Sequence, residues 1–320
     1  MTRAWLFAAA LAVGLVPAAH ALDWPTRPVR IVAPSTPGGA ADLFGRLMAD
    51  KLSQVLHQRF YVDNRAGGGG LIGAQIVAHA EPDGYTFVTS SIAYHAIEPA
   101  ASANPGFDPM RNATHVAYIG GPPNVFIVSP ALGVHSLPEL VARAREETLD
   151  FVSPGNGTLG HLLVEAFAQK AGIKVQHIPH KGSAQAMLDL LAGNVLFGSM
   201  TYSSALGQIR AGKVIPIAVS SRARVAEYPD VPTLAESGYP ELVANTWYAL
   251  SGPAGVPDEI VQKLNHAVAD VLELPDVKKR LDDDAIERAP MTSEQVTEFF
   301  ANEIAKWGPI AKKFVKHRSD

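Results

Sequence analysis

The chain has 320 residues, 47% of them hydrophobic and 18% charged, with 27 Lys+Arg against 31 Asp+Glu, a formal charge of −4 and no cysteine. This mildly acidic balance argues against nucleic acid and anionic membranes as partners, since both attract concentrated positive charge. The lack of cysteine excludes disulfides, thiolate metal sites and a cysteine-borne lipid anchor, so stability must come from buried apolar surface, and the length favours two domains.

Residues 1–21 carry Arg3, an apolar run from Ala4 to Val16 and the ending Ala19-His20-Ala21, the pattern of an export signal cleaved after Ala21. The run is shorter than the roughly 20 residues that a membrane span requires. Periodicity then predicts a strand over 29–33, a helix over 42–56 built on Leu43, Leu47, Met48, Leu52 and Leu56, and a strand over 60–62. A helix near 72–80 and a strand over 85–89 follow. Such alternation implies a parallel sheet covered by helices. Gly120-Gly121-Pro122-Pro123 reads as a linker. Beyond it come predicted strands at 125–128, 150–153, 175–178, 195–197 and 215–219, with helices at 137–147, 158–171 and 183–192. Residues 245–251 read as a return crossing, and two or three helices finish the chain. The charged stretch 277–286 reads as a solvated helix face.

Two corners carry the functional signal. Residues 30–42 read as a strand, a Pro/Gly turn and a helix start whose bare backbone N–H groups form a cradle for a small anion, the mark of a binder rather than a catalyst. Residues 153–161 repeat the design, with Thr158 as N-cap or ligand hydroxyl. One corner per domain, facing across a cleft, would hold a carboxylate between two helix starts. Residues 63–73 contain a literal G-x-G-x-x-G between a strand and a helix, yet Val88-Thr89-Ser90-Ser91 ends the next strand without the acidic residue a dinucleotide site uses. The glycines are read as a tight turn with close helix packing. His161 and Glu165 have the spacing of two metal ligands, with His177 and His180 downstream, but no third ligand is suggested nearby and no metal is assigned. No nucleophile elbow, S-x-x-K, H-E-x-x-H or phosphate-loop pattern occurs, so no catalytic residue and no cofactor is assigned.

Trp24-Pro25, Arg27-Pro28, Pro37-Gly38-Gly39 with Asp42, Asn64-Arg65 with its glycine run, Ile72-Gly73 and Pro82-Asp83-Gly84-Tyr85 occur in order. Gly157-Thr158 with His161, Pro179 with Lys181-Gly182, Asp230-Val231-Pro232-Thr233 and Pro253-Ala254-Gly255 continue the series. In these the chain resembles the extracytoplasmic solute-binding proteins of tripartite tricarboxylate transporters, the Bug or TctC family, over nearly all of the sequence after the leader. The resemblance implies an α/β, periplasmic binding protein-like (type II) fold, two α/β lobes with a ligand cleft between them. Lobe one would be 22–122 and 247–320, and lobe two 123–246.

It also implies a periplasmic protein, expected as a monomer, that captures a small organic anion and delivers it to integral membrane transporter subunits without cofactor or turnover. Carried onto this sequence, the ligand contacts would be Thr36, Pro37, Gly38, Gly39, Ser90 and Ser91 from the first lobe. Gly157, Thr158, His161 and Ser199 would serve from the second. Asp42 is read as a turn and helix-start residue, not a contact. Two places depart from the family pattern, His180, where tyrosine is common, and residues 198–202. The competing readings are the same receptor signalling to a sensor kinase, and an exported hydrolase, which needs a serine or threonine within reach of a histidine in the cleft.

Overall fold

A computed structural model describes residues 23–315, and the predicted leader with its cleavage site after Ala21 lies outside them. The first half of the described chain runs β1 (Val29–Ala33), α1 (Ala40–Val55), β2 (Phe60–Asn64), α2 (Leu71–Ala78) and β3 (Thr86–Ser91). A π-helical turn, Ala93–Ile97, leads into α3 (Glu98–Ala101), and β4 (Ala113–Gly120) follows. Next come β5 (Asn124–Val128), α4 (Leu137–Glu146), β6 (Leu149–Ser153), α5 (Leu159–Ala171), β7 (Val175–Pro179), α6 (Ser183–Ala192), β8 (Phe197–Thr201), α7 (Tyr202–Arg210) and β9 (Ile215–Val219). The chain ends with β10 (Tyr248–Pro253), α8 (Asp258–Glu273), α9 (Pro275–Asp283) and α10 (Ser293–Phe314).

The strands form two five-stranded sheets, ordered β2-β1-β3-β10-β4 and β7-β6-β8-β5-β9. Neither is purely parallel, which corrects the expectation of a parallel sheet. The chain leaves one lobe, builds the other and returns, so each crossing strand enters its sheet against the local direction. β10 lies antiparallel to both β3 and β4, and β5 antiparallel to both β8 and β9. The remaining pairs, β1 with β2 and β3, and β6 with β7 and β8, are parallel, joined by crossover helices. β1 is buried along its length except Arg30 because helices cover both faces of the sheet. α1 turns Phe44, Met48 and Leu52 to that sheet and leaves Leu43 exposed.

The sheets are joined where residues 121–123 and 245–247 run side by side. Thr246 N–H donates to the Pro122 carbonyl at 2.9 Å, and Pro123 bridges Asn245. Asn124 ties the pair to the second sheet: its N–H donates to Ser220 Oγ at 2.8 Å, and its Oδ1 accepts from Thr246 Oγ1 at 2.9 Å. α10 spans the junction on the outside. Its Val296, Phe300, Trp307 and Ala311 are buried in one apolar cluster with Ile92 and Ile97 of the first lobe and Leu162 and Phe167 of the second.

Gly121 is required at the crossing by space alone, since a Cβ there would stand 2.5 Å from Trp247 Cα and overlap the Thr246 carbonyl. Gly121→Ala should therefore cost about 1–3 kcal/mol, the range for overpacking a site whose neighbours are backbone. Urea unfolding of the two proteins measures it, and equal midpoints would show that the crossing strands part freely.

Candidate functional site

The first corner is built from beneath by a buried carboxylate. Asp42, 1% exposed, accepts the Gly38 N–H at 2.9 Å and Arg46 Nε at 2.9 Å on Oδ2, and Asn64 Nδ2 at 2.9 Å on Oδ1. Burial alone would raise its pKa, but these hydrogen bonds and the Arg46 charge outweigh it and hold the carboxyl below its ordinary range. Ser35 Oγ takes the Asp42 N–H, and the Gly39 N–H goes to the Thr36 carbonyl. The amides of Gly38 and Gly39, expected to face the anion, are thus spent inside the turn. Those of Ala40 and Ala41, the first two residues of α1, go to no acceptor among the described residues. Thr36, Pro37 and Gly38 are exposed at the tip.

The second corner is more closed. Thr158 caps α5, its Oγ1 accepting from the His161 N–H at 3.4 Å and donating to the Gly155 carbonyl at 2.8 Å. His161 is buried, and its Nδ1 accepts the Gly157 N–H at 3.3 Å, so the imidazole braces the turn. Gly157 itself is buried. A Cβ there would lie 2.8 Å from Glu98 Oε1 and 3.7 Å from Val315 Cγ1.

A third corner, at the end of β8, faces the first. A cavity of about 270 Å³ lies between the lobes, walled by Gly38, Ala40, Phe44 and Tyr248 on one side and Thr201, Ser203 and Ser204 on the other, with Arg280 and Asp284 at its edge. The amides of Ser203 and Ser204 at the start of α7 have no acceptor among the described residues, and Thr201 Oγ1 lies 2.7 Å from Ser204 Oγ. Arg280 has no ion-pair partner among the described residues. Thus Gly38 shares its cavity with the β8 corner, while Asn156 and His161 border a separate space of about 1,260 Å³ on the outer side of α5 and β7.

The other expected contacts lie deeper. Ser90 Oγ donates to Ser251 Oγ at 2.7 Å and lies 3.3 Å from His95 Nε2, and Ser251 Oγ meets His115 Nδ1 at 2.9 Å. Ser91 Oγ accepts the Ala93 N–H at 3.3 Å. Ser199 is fully buried beneath α5, where a Cβ on Gly160 would reach its carbonyl oxygen at 2.5 Å, and its hydroxyl has no partner among the described residues. The Ser90 and Ser199 side chains therefore belong to the interior. Thr201, Ser203 and Ser204 were not singled out, although the small polar run that opens the helix was their visible signal.

Catalytic and metal readings find little here. Ser153 Oγ lies 2.7 Å from His177 Nε2, but the serine is fully buried and also bonds the Gly155 backbone. His177 stacks on His161 with ring centres 3.9 Å apart, and burial with the neighbouring His161 and His180 pushes its pKa down to about 3. His161 Nε2 and Glu165 Oε1 are 3.8 Å apart, and among the described residues no group of three or more His, Cys, Asp or Glu is placed to hold a metal ion.

Two expectations follow from these networks. Asp42→Asn should cost about 1–3 kcal/mol by replacing an acceptor with a donor opposite Asn64 or Gly38, read as a fall in the urea midpoint at pH 7. The second concerns His115, driven down to about 4 by burial, and His95, driven well below its usual value by burial and by His115. The unfolded chain protonates both near pH 6.5, so their contribution is complete above that pH and is lost as pH falls toward 4, by about 1.4 kcal/mol per pH unit for each. Unfolding at pH 7 and pH 5 should show this loss, smaller in His115→Gln. An identical loss in the variant would assign it to other groups.

The comparisons with known proteins agree with this architecture. Residues 44–315 match the family model described as tripartite tricarboxylate transporter family receptor. Protein BugT of Bordetella pertussis is 33% identical over 303 residues, covering 94% of this chain and 93% of the relative. The solved structure of R. palustris Rpa4515 with adipate is 34% identical, with a TM-score of 0.80, covering 91% of this chain and 98% of that one. MatC from Rhodopseudomonas palustris, with bound malate, is 28% identical, with a TM-score of 0.76, covering 90% of this chain and all 100% of that one. With two lobes of the type II binding-protein kind, and with these matches along nearly its whole length, the chain belongs to the tripartite tricarboxylate transporter receptor family.

Proposed function

We propose that this receptor is exported to the periplasm, binds a small carboxylate between its lobes and hands it to the membrane subunits of a tripartite transporter, acting as a monomer. The lobes divide as 22–122 with 247–320, and 123–246. The observation that carries the reading is the cavity where two helix starts meet. Ala40 and Ala41 open α1 on one lobe, Ser203 and Ser204 open α7 on the other, and none of these four amide hydrogens has an acceptor among the described residues. A carboxylate accepts several such bonds at once and gains from both helix dipoles, so its charge is met without a buried salt bridge. Phe44, Leu47, Tyr248 and Ile286 supply an apolar wall for the carbon skeleton. The adipate and malate of the two related structures are carboxylates of the size such a cavity takes. Gly38 stands in the wall on the first lobe, and Thr201 in the wall on the second.

Calorimetry of the chain without its leader against a panel of short organic acids tests this. At least one acid should bind with micromolar affinity or better. Gly39→Val places a side chain where a Cβ already stands 2.9 Å from Ser35 Cβ and 3.1 Å from the Thr36 carbonyl, displacing the turn that presents Ala40 and Ala41. Affinity should drop about tenfold or more, a loss of roughly 1.4 kcal/mol, with the melting temperature within a few degrees of the parent. Silence across the panel removes the reading, and full affinity in the variant moves the site away from α1.

A further inference from the structure

The charges on α9 and on Asp284, which caps its end, are satisfied with two exceptions. Asp276 pairs with Lys51 of α1 at 2.6 Å, Lys278 with Glu273 at 3.0 Å, Lys279 with Asp283 at 2.7 Å and Asp282 with Arg288 at 2.6 Å. Arg280 and Asp284 have neither an ion pair nor a side-chain hydrogen bond among the described residues. They are also the charged residues that line the 270 Å³ cavity between the lobes, whose other walls are apolar, hydroxyl or backbone.

Their placement is fixed by the packing of α9. Val277 and Leu281 are buried in the core of the first lobe, the Lys51 pair ties the start of the helix to α1, and Leu281 stands in the cavity wall with Leu43 and Leu47 of α1. Arg280 and Asp284, four residues apart, reach the same edge of the cavity, the arginine exposed and the carboxylate half-buried. They do not bond each other, yet they lie close enough to interact: burial raises the Asp284 carboxyl above its ordinary range, and the Arg280 charge opposes that rise. A sphere with the volume of this cavity is about 8 Å across, so a ligand of about four to six carbons whose carboxylate meets the Ala40 amide extends to the edge where these two side chains stand.

We propose that Arg280 and Asp284 form a second subsite of the cleft, which takes a carboxylate carrying a neighbouring hydrogen-bond donor, a 2-hydroxyl or 2-ammonium group. The proposal rests on the carboxylate-receptor reading above, in which the first carboxylate is held at the starts of α1 and α7. The guanidinium fork of Arg280 receives the second carboxylate, and Asp284 accepts from the donor beside it. A plain carboxylate at this edge meets Arg280 but is repelled by Asp284, and a plain ammonium meets Asp284 but is repelled by Arg280. An end that carries both groups matches both charges, so the subsite selects among acids that the helix starts hold equally well.

The test is calorimetry of the chain without its leader, of Arg280→Gln and of Asp284→Asn, against matched acids of about four to six carbons: monocarboxylates, plain dicarboxylates, and the 2-hydroxy and 2-amino dicarboxylates. Neither side chain has a partner to lose, so both variants should melt within a few degrees of the parent. At the chain length that fits, the parent should bind the 2-hydroxy or 2-amino diacid about tenfold or more tighter than the plain diacid and the monoacid. Arg280→Gln should weaken that ligand about tenfold or more while changing the monoacid by less than about threefold. Asp284→Asn should reduce the preference for the substituted over the plain diacid about tenfold. A parent that binds the plain diacid or the monoacid as tightly as the substituted diacid overturns the proposal whatever the variants do. Unchanged affinity ratios in both variants also overturn it, and in either case the receptor reading stands. Binding of none of these acids by the parent removes both.

Discussion

Every helix begins with amide hydrogens that no residue of the helix can accept, and the organisation of this cleft follows from how those hydrogens are distributed. At α1 the decision is made by Asp42. Its carboxylate takes the Gly38 N–H from below, is held in place by Arg46 and Asn64, and remains charged although nearly all of it is buried. The turn is thereby locked in one shape, and the hydrogens left over belong to Ala40 and Ala41, the first two residues of the helix. The same carboxylate partly offsets the positive end of the helix. An anion bound at this corner, as proposed, would be held by directed hydrogen bonds more than by net field, which suits a protein whose overall charge is negative.

The three corners share a design and differ in what satisfies them. At the start of α5, Thr158 takes one amide, His161 another, and Glu98 closes the glycine face from the opposite lobe. That corner is a joint between lobes. At the start of α7 the small hydroxyl residues bond each other, and the amides of Ser203 and Ser204 stay available. The geometry thus shifts the partner of α1 from the β6 corner to the β8 corner. The rings of His161, His177 and Phe151 stack behind Thr158, and the low pKa of His177 keeps its own ring uncharged at neutral pH.

Much of the fold was legible from periodicity, because most strands here are short apolar runs between glycine turns. The run at Ile215–Val219 and the helix at Ser183–Ala192 match their predicted limits, and others shift by a residue or two. What escaped was written in tertiary terms. β4, Ala113–Gly120, was not anticipated: it carries His115, which is buried through its bond with Ser251. β8 runs Phe197–Thr201 where 195–197 was predicted, since Gly198, Ser199 and Thr201 around Met200 are too small to extend the strand signal without the neighbours that bury them. The antiparallel crossings were invisible because direction depends on where the chain returns. Within the site, the turn at Pro37 to Asp42 and the cap at Thr158 were readable from local chemistry. Which amides remain unpaired was not, because that depends on Asn64, twenty-two residues beyond Asp42.

The joints between the lobes limit how the cleft opens. β10 and β5 are locked into their sheets by pairing on both sides, so a rotation that separates α1 from α7 has to bend at 121–123 and 245–247. Those segments bond each other through Thr246 and Pro122, and their torsions change together, which favours a hinge about one axis over independent swings. α10 adds a second constraint. It packs on β4 and the Ala93–Ile97 turn in one lobe and on α5 in the other, and Lys306 Nζ donates to the Val243 carbonyl beside the crossing. Wide opening would expose part of the apolar cluster around Phe300 and Trp307, at a cost of about 25 cal/mol per Å² of apolar surface. A modest hinge that exchanges polar rim contacts and leaves this cluster covered is far less costly. The contacts that change on opening are then those at the corners, Glu98 against Gly157 and α1 against α7, where a ligand has its influence on the equilibrium.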